Sequence, residues 1–261
     1  PHVDHFGLAG RIVTESDATV WICELGAPWL TDTDDMWAGR MAYYRRDLLP
    51  ALGLPLATNE LILGDLRGLA THADPVPAGR VVTFRPDGVL RMGGAAWQVI
   101  HTPGHADAQT VFYQPETRRL LSADMLLAVT PAPVIDHPPP GERREPALPD
   151  FIRSLDVLEA LDIDMVYPGH GRPFGDHRAV IARQRERIAG RKGQCLEFIR
   201  AGQTTVPELL ESMYAHRPRE DRVAGLWMLI GYLDLLLEEG VIVEDVIADV
   251  THYRTSALQV G

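Results

Sequence analysis

Apolar positions change their spacing twice along this chain. Between residues 34 and 72, Met36, Trp37, Met41, Tyr44, Leu48 and Leu49 recur at roughly helical intervals, which predicts helix in two pieces broken near Pro50–Pro55. Upstream, residues 11–23 read as a helix leading into a short buried strand. From Val81 to Arg119 the apolar runs shrink to strand length. Val81–Phe84 and Val89–Met92 flank Pro86-Asp87-Gly88, a turn sequence that predicts a hairpin between them. Ala96–Ile100, Thr110–Tyr113 and Leu120–Leu121 continue the strand series. The Pro-rich stretch 130–149 reads as a loop. Phe151–Leu161 places Leu155, Leu158 and Leu161 on one helical face, and Asp164–Tyr167 is a short strand.

The pattern shifts again near Asp176. A long helix (about 177–200) is followed by a helix opening at Thr204 or Thr205 with Pro207 in its first turn. A third helix (about 220–238) ends at Gly240, and strands Val241–Val243 and Ile247–His252 follow. Three helices and a β-wing make a winged-helix pattern, so the expected domains are 1–176 and 177–261. Winged helices often enter DNA through a basic third helix. Here that helix is apolar and acidic, which suits packing or a homodimer contact and argues against DNA. Arg178, Arg183, Arg185, Arg187, Arg191 and Lys192 instead cluster on the first helix, as a solvated face or as a docking surface for RNA.

Composition narrows the classes further. A net charge of -11 over 261 residues disfavours broad attraction to nucleic acid or anionic membrane. Only Cys23 and Cys195 occur, so a disulfide framework is not expected and a reducing, cytoplasmic setting is the default. No apolar run reaches the roughly 18 residues of a membrane span.

The chemistry lies in histidines and carboxylates. His2, Asp4 and His5 crowd three potential ligands into four positions. His105 ends Thr102-Pro103-Gly104, Asp124 ends Ser122-Ala123, and His170 sits in Tyr167-Pro168-Gly169-His170-Gly171. Imidazole is the commonest protein ligand for zinc, and a carboxylate can bridge two ions. These six residues are therefore the expected metal ligands. Two ions held about 3.5–4 Å apart would yield a hydroxide nucleophile near neutral pH. Asp4 is the expected catalytic residue, orienting that hydroxide and then protonating the leaving group. His101 reads as structural and His137 as a solvated loop residue. Trp37, Met41, Tyr43 and Tyr44 read as helix packing or as a lid over the metals.

At these residues the chain resembles the metallo-β-lactamase fold superfamily. His2-Val3-Asp4-His5 matches the last four positions of its His-x-His-x-Asp-His motif, and the segments ending at His105 and His170 match its third and fifth motifs. Ser122-Ala123-Asp124 departs slightly, since Gly commonly precedes the bridging Asp. The resemblance implies an α/β fold, a four-layer αββα sandwich whose first strands are missing from a fragment that opens inside its motif. It implies that His2 and His105 hold one metal with an absent first His, that Asp4, His5 and His170 hold the second, and that Asp124 bridges them. The C-terminal region is similar to the winged-helix-bearing branch, the metallo-β-lactamase-like protein 2 type. The function implied is a zinc-dependent hydrolase of a small ester, thioester or related acyl substrate, like the hydroxyacylglutathione hydrolases, with manganese or iron as other metals. The alternative is a single-strand endoribonuclease of the winged-helix-bearing branch.

Overall fold

The structure is a computed structural model that describes residues 2–129, 131, 133, 135–139, 142–217 and 221–256. The chain begins with short helices α1 (Val3–Phe6) and α2 (Ala9–Glu15), strand β1 (Val20–Cys23) and helix α3 (Pro28–Thr31). Helix α4 (Thr33–Tyr43) runs through a π-helical turn, Tyr44–Leu48, into α5 (Leu49–Leu52), and α6 (Leu56–Ala70) follows. The expected break is present, and its chemistry is clear. Pro50 cannot donate to the Arg46 carbonyl and its ring crowds that group, so the preceding turn widens. Gly53 then ends α5 in the left-handed conformation at φ 66°.

Strands β2 (Val81–Phe84), β3 (Val89–Met92), β4 (Ala95–His101), β5 (Thr110–Gln114) and β6 (Arg119–Ala123) come next. The hairpin expected across Pro86-Asp87-Gly88 does not form. β2 pairs in parallel with β1, and β3 pairs with β4. The tight turn is instead Gly93-Gly94, with both φ values positive (57° and 78°), the geometry a two-residue hairpin needs. Pro86-Asp87-Gly88 carries the chain from one sheet to the other.

Helix α7 (Ala147–Glu159) and strand β7 (Met165–Pro168) complete a five-stranded sheet of order β3-β4-β5-β6-β7. β5 alternates: Val111 and Tyr113 are buried against the helices, while Phe112 turns to the other face and meets Phe84 of β2 at 5.9 Å between ring centroids. The result is an α/β fold with a mixed sheet. β4 and β6 both run antiparallel to β5, and β7 runs parallel to β6. The C-terminal ends of β4, β6 and β7 therefore emerge at one sheet edge.

Helices α8 (His177–Arg200), α9 (Val206–Tyr214) and α10 (Asp221–Glu238) and the antiparallel pair β8 (Ile242–Ile247) and β9 (Val250–Thr255) follow. The expected start of the third helix at residue 220 lies outside the described residues. The last turn falls later than expected, at Ala248-Asp249, where φ values of 50° and 65° close a two-residue loop. α10 packs on α7, α8 and α9. Its Leu226, Leu229, Ile230, Leu233 and Leu236 join Phe151, Leu155 and Leu158 of α7 in one continuous core. A smaller core of Val13, Leu30 and Val76 lies near β1 and β2.

Candidate metal centre

Three loops at the common sheet edge and the N-terminal turn place the expected side chains together. His105 follows β4, Asp124 follows β6 and His170 follows β7, while His2, Asp4 and His5 sit at the start of α1. Candidate ligand atoms of Asp4, His5, Asp124 and His170 lie within 4.8 Å of one another, as do those of His2, His105 and Asp124. Asp124 belongs to both groups. Its Oδ2 is 3.1 Å from His5 Nε2, 3.4 Å from His105 Nε2 and 3.4 Å from His170 Nε2. Asp4 Oδ2 stands 3.1 Å from His170 Nε2, and His2 Nδ1 is 3.1 Å from His105 Nε2.

Two glycines explain how the loops come so close. A Cβ at Gly169 would lie 2.4 Å from Asp124 Oδ1 and 2.9 Å from the His5 ring. Gly104 holds φ at 129°, and a Cβ there would strike the Phe151 backbone at 2.3 Å. Gly169 thus lets backbone approach the ligand side chains, and Gly104 lets the His105 loop lie against the start of α7.

The two groups differ in exposure. Asp124 is 5% exposed and His105 is buried, whereas the Asp4 and His170 side chains are each 53% exposed. Burial lowers the His2 pKa to about 2, helped by His105 and Arg40. Burial alone would raise Asp124, but hydrogen bonds from His105 and His5 outweigh it and hold the carboxyl well below its usual range. His5 is raised, chiefly by its hydrogen bond to Asp124. Neutral imidazoles and an ionised carboxylate are the forms that ligate metal. The buried Asp124 Oδ1 has no hydrogen-bond partner, and a cation held by this carboxylate would supply one. The donor set, all nitrogen and oxygen, fits zinc and also manganese or iron.

Other sequence-selected residues fall elsewhere. His101 Nε2 bonds the Asp107 carbonyl at 2.7 Å. His137, expected in solvent, is half-buried against Gly39 and the Trp29 ring. Trp37 and Tyr44 are buried in the wall of a cavity of about 520 Å³ that reaches His2 and Asp4. The same wall takes Ile62 and Leu66 from α6 and Val223 and Trp227 from α10. The α10 contribution was not foreseen, because an aromatic residue in an apolar helix carries the same pattern as a core residue.

The family model of the metallo-beta-lactamase superfamily matches residues 1–170. The probable metallo-hydrolase YqjP of Bacillus subtilis is 25% identical over 256 residues, covering 97% of this chain and 78% of its own length. A linear primary-alkylsulfatase of a Pseudomonas species is 31% identical over 175 residues, 65% of this chain and 29% of the relative. An atrochrysone carboxyl ACP thioesterase of Aspergillus chevalieri is 25% identical over 140 residues, 51% of this chain and 42% of the relative. Among solved structures, a beta-lactamase domain protein from Burkholderia ambifaria matches with a TM-score of 0.73 at 23% identity, covering 98% of this chain and 71% of that one. That likeness speaks to the fold alone.

Proposed function

This chain belongs to the metallo-beta-lactamase superfamily, whose relatives include metallo-hydrolases, and on that premise we propose that it hydrolyses a small ester or thioester. The observation that carries this reading is Asp124 Oδ2, set within 3.4 Å of three imidazole nitrogens from three separate segments. His2, His105 and Asp124 would hold one divalent cation, and Asp4, His5, His170 and Asp124 a second, with zinc the first choice. Such cations, when bound, polarise a carbonyl oxygen and lower the pKa of water. The chain's own groups do the rest. Asp124 keeps its charge in a buried place, and neutral His2 offers a lone pair. Asp4, open to solvent beside His170, accepts the water proton at Oδ2 and passes it to the leaving sulfur or oxygen.

Thioester chemistry is supported by the thioesterase relative and by the fate of the basic helix. On α8, Arg178 bonds the Glu159 and Leu161 carbonyls, Arg185 pairs with Asp156 and Glu159, and Lys192 pairs with Glu239. Arg191 bonds the Met213 carbonyl and stacks 4.7 Å from the Tyr214 ring centre. Four of the six cations are thus spent on internal partners, leaving Arg183 and Arg187 exposed, a reduced surface for tracking a phosphate backbone.

Metal analysis together with turnover of a thioester panel and of an unstructured RNA, with and without chelator, tests the reading. The expected outcome is bound divalent metal, chelator-sensitive acyl hydrolysis and intact RNA. RNA cleavage lost in Asp4→Ala, without acyl turnover, would reverse the order.

A further inference from the structure

We propose that the cavity of about 520 Å³ beside the metal centre receives an extended apolar acyl chain, with Trp227 of the C-terminal helix α10 as part of the wall that selects chain length. The link to catalysis rests on the acyl-hydrolase reading above. The binding of a hydrocarbon chain does not.

Three observations converge. The cavity is continuous with the candidate site, since His2, Val3 and Asp4 form part of its lining. A chain entering it would leave its carbonyl beside the histidine–aspartate cluster. Apart from Arg40 and Asp65, the rest of the described wall is apolar and aromatic, with Trp227 packed edge-on to Tyr44 at 5.7 Å and buried Ile62 nearby. The size lies within the range of about 300–1,000 Å³ typical of small-ligand sites.

Charge decides what the cavity refuses. Arg40 is the one Arg or Lys among its described lining residues. Its guanidinium is buried in an ion pair with Asp136, 4.1 Å from the Trp29 ring centre and 5.2 Å from that of Trp37. Paired with Asp136, it adds no net positive charge to the wall. The other charged lining residues, Asp4 and Asp65, are acidic and repel anions. An uncharged hydrocarbon gains from burial there, and a nucleotide does not.

The wall joins elements distant in sequence. Tyr44 comes from the π-helical turn, Leu66 and Leu69 from α6, and Val223 and Trp227 from α10. Leu69 is 45% exposed. Helix α10 thus serves two ends: one side anchors the core, and Val223 and Trp227 shape the cavity.

The test uses the metal-loaded full chain. Calorimetric titration with neutral 1-decanol and 1-butanol reads binding without chemistry, and kcat/KM for thioesters of increasing acyl length reads selection. We expect 1-decanol to bind and 1-butanol not to, and kcat/KM to rise about fourfold per added methylene until the cavity is full. Trp227→Ala should weaken 1-decanol binding at least about tenfold and flatten the length profile, while Val223→Trp should shorten the preferred chain. Should Trp227→Ala fail to fold, Leu69→Asp at the exposed edge should depress the decanoyl-to-butanoyl ratio in the same direction. Failure of 1-decanol to bind, with a flat profile among thioesters that are turned over, overturns the cavity assignment and leaves the hydrolase reading standing. Binding of 1-decanol that these variants weaken, without turnover of any ester or thioester, supports the cavity and overturns the hydrolase reading.

Discussion

Around the metal centre, Asp124 Oδ1, His2 Nε2 and Thr102 Oγ1 are buried without a hydrogen-bond partner. In the C-terminal helices the buried carboxylate of Asp234 meets both ends of the Arg144 guanidinium, at 2.6 and 2.8 Å. The start of α9 is likewise closed, because the Glu208 carboxylate accepts from the Thr204 and Thr205 N–H groups at 2.9 and 3.0 Å. An unpaired buried polar group costs about 1–3 kcal/mol. The first region carries that cost where ligand atoms converge; the second carries it at His177 Nε2 and Gln184 Oε1 of α8, but it closes Asp234 and the start of α9 and packs Leu226, Leu229 and Leu236 into the core. The first region gathers ligand atoms at one point, and the second is closed chiefly by apolar packing. The difference is one of kind, because the first region is shaped by ligand geometry and the second by area removed from water.

The sharpest way to break this contrast is Asp124→Ala. It should lower hydrolysis by more than about 100-fold, since loss of an outer metal partner alone costs about 10–100-fold. It should also reduce metal content by mass spectrometry while urea unfolding moves little or improves. A large loss of stability would mean that the centre also holds the fold.

Asp136→Ala comes next. It strands the buried Arg40 guanidinium, whose pKa burial has already pulled down to about 10. The expected loss is about 3–5 kcal/mol by urea unfolding. Leu229→Ala should cost about 2–5 kcal/mol and lower the whole unfolding transition. Val13→Ala, in the small core near β1 and β2, should cost about 1.5 kcal/mol or less and speed hydrogen exchange only locally. Equal global effects of these two would erase the distinction between the regions.

The smallest effect is at Glu208, whose carboxyl is lowered first by the Thr204 N–H bond and then by Thr205. Glu208→Ala should cost about 0.5–1 kcal/mol after solvent screening. That difference is fully present above about pH 4.3, where an unfolded glutamate is ionised. It closes as acid titrates the lowered folded carboxyl. Thermal melts of both proteins between neutral and acid pH measure it.

Legibility followed the range of the contacts. The helix over residues 177–200, the Thr205 cap with Pro207 behind it, and the break near Pro50 were readable because each depends on neighbours within one or two turns. So were the Pro-Gly-His turns ending at His105 and His170, since each is a local device for a tight approach. The partner of β2 was not readable. Pro86-Asp87-Gly88 signals a turn equally well whether the strands it joins pair or part, and β2 lies alongside β1, which is some 60 residues away by register (Val20 with Val81). His137 misled for the same reason, since Gly39 and Trp29, which cover it, lie about 100 residues upstream.

By itself the amino-acid order determined which side chains can bind metal, which turns present them and which segments are helix or strand, because those follow from backbone freedom and apolar period over a few residues. Only the tertiary structure decided that Asp136 pairs with Arg40, that His137 packs on Trp29, and that α10 walls a cavity beside the histidines. Those relations join surfaces brought together by burial of the common core, and no spacing along the chain encodes which surfaces will meet.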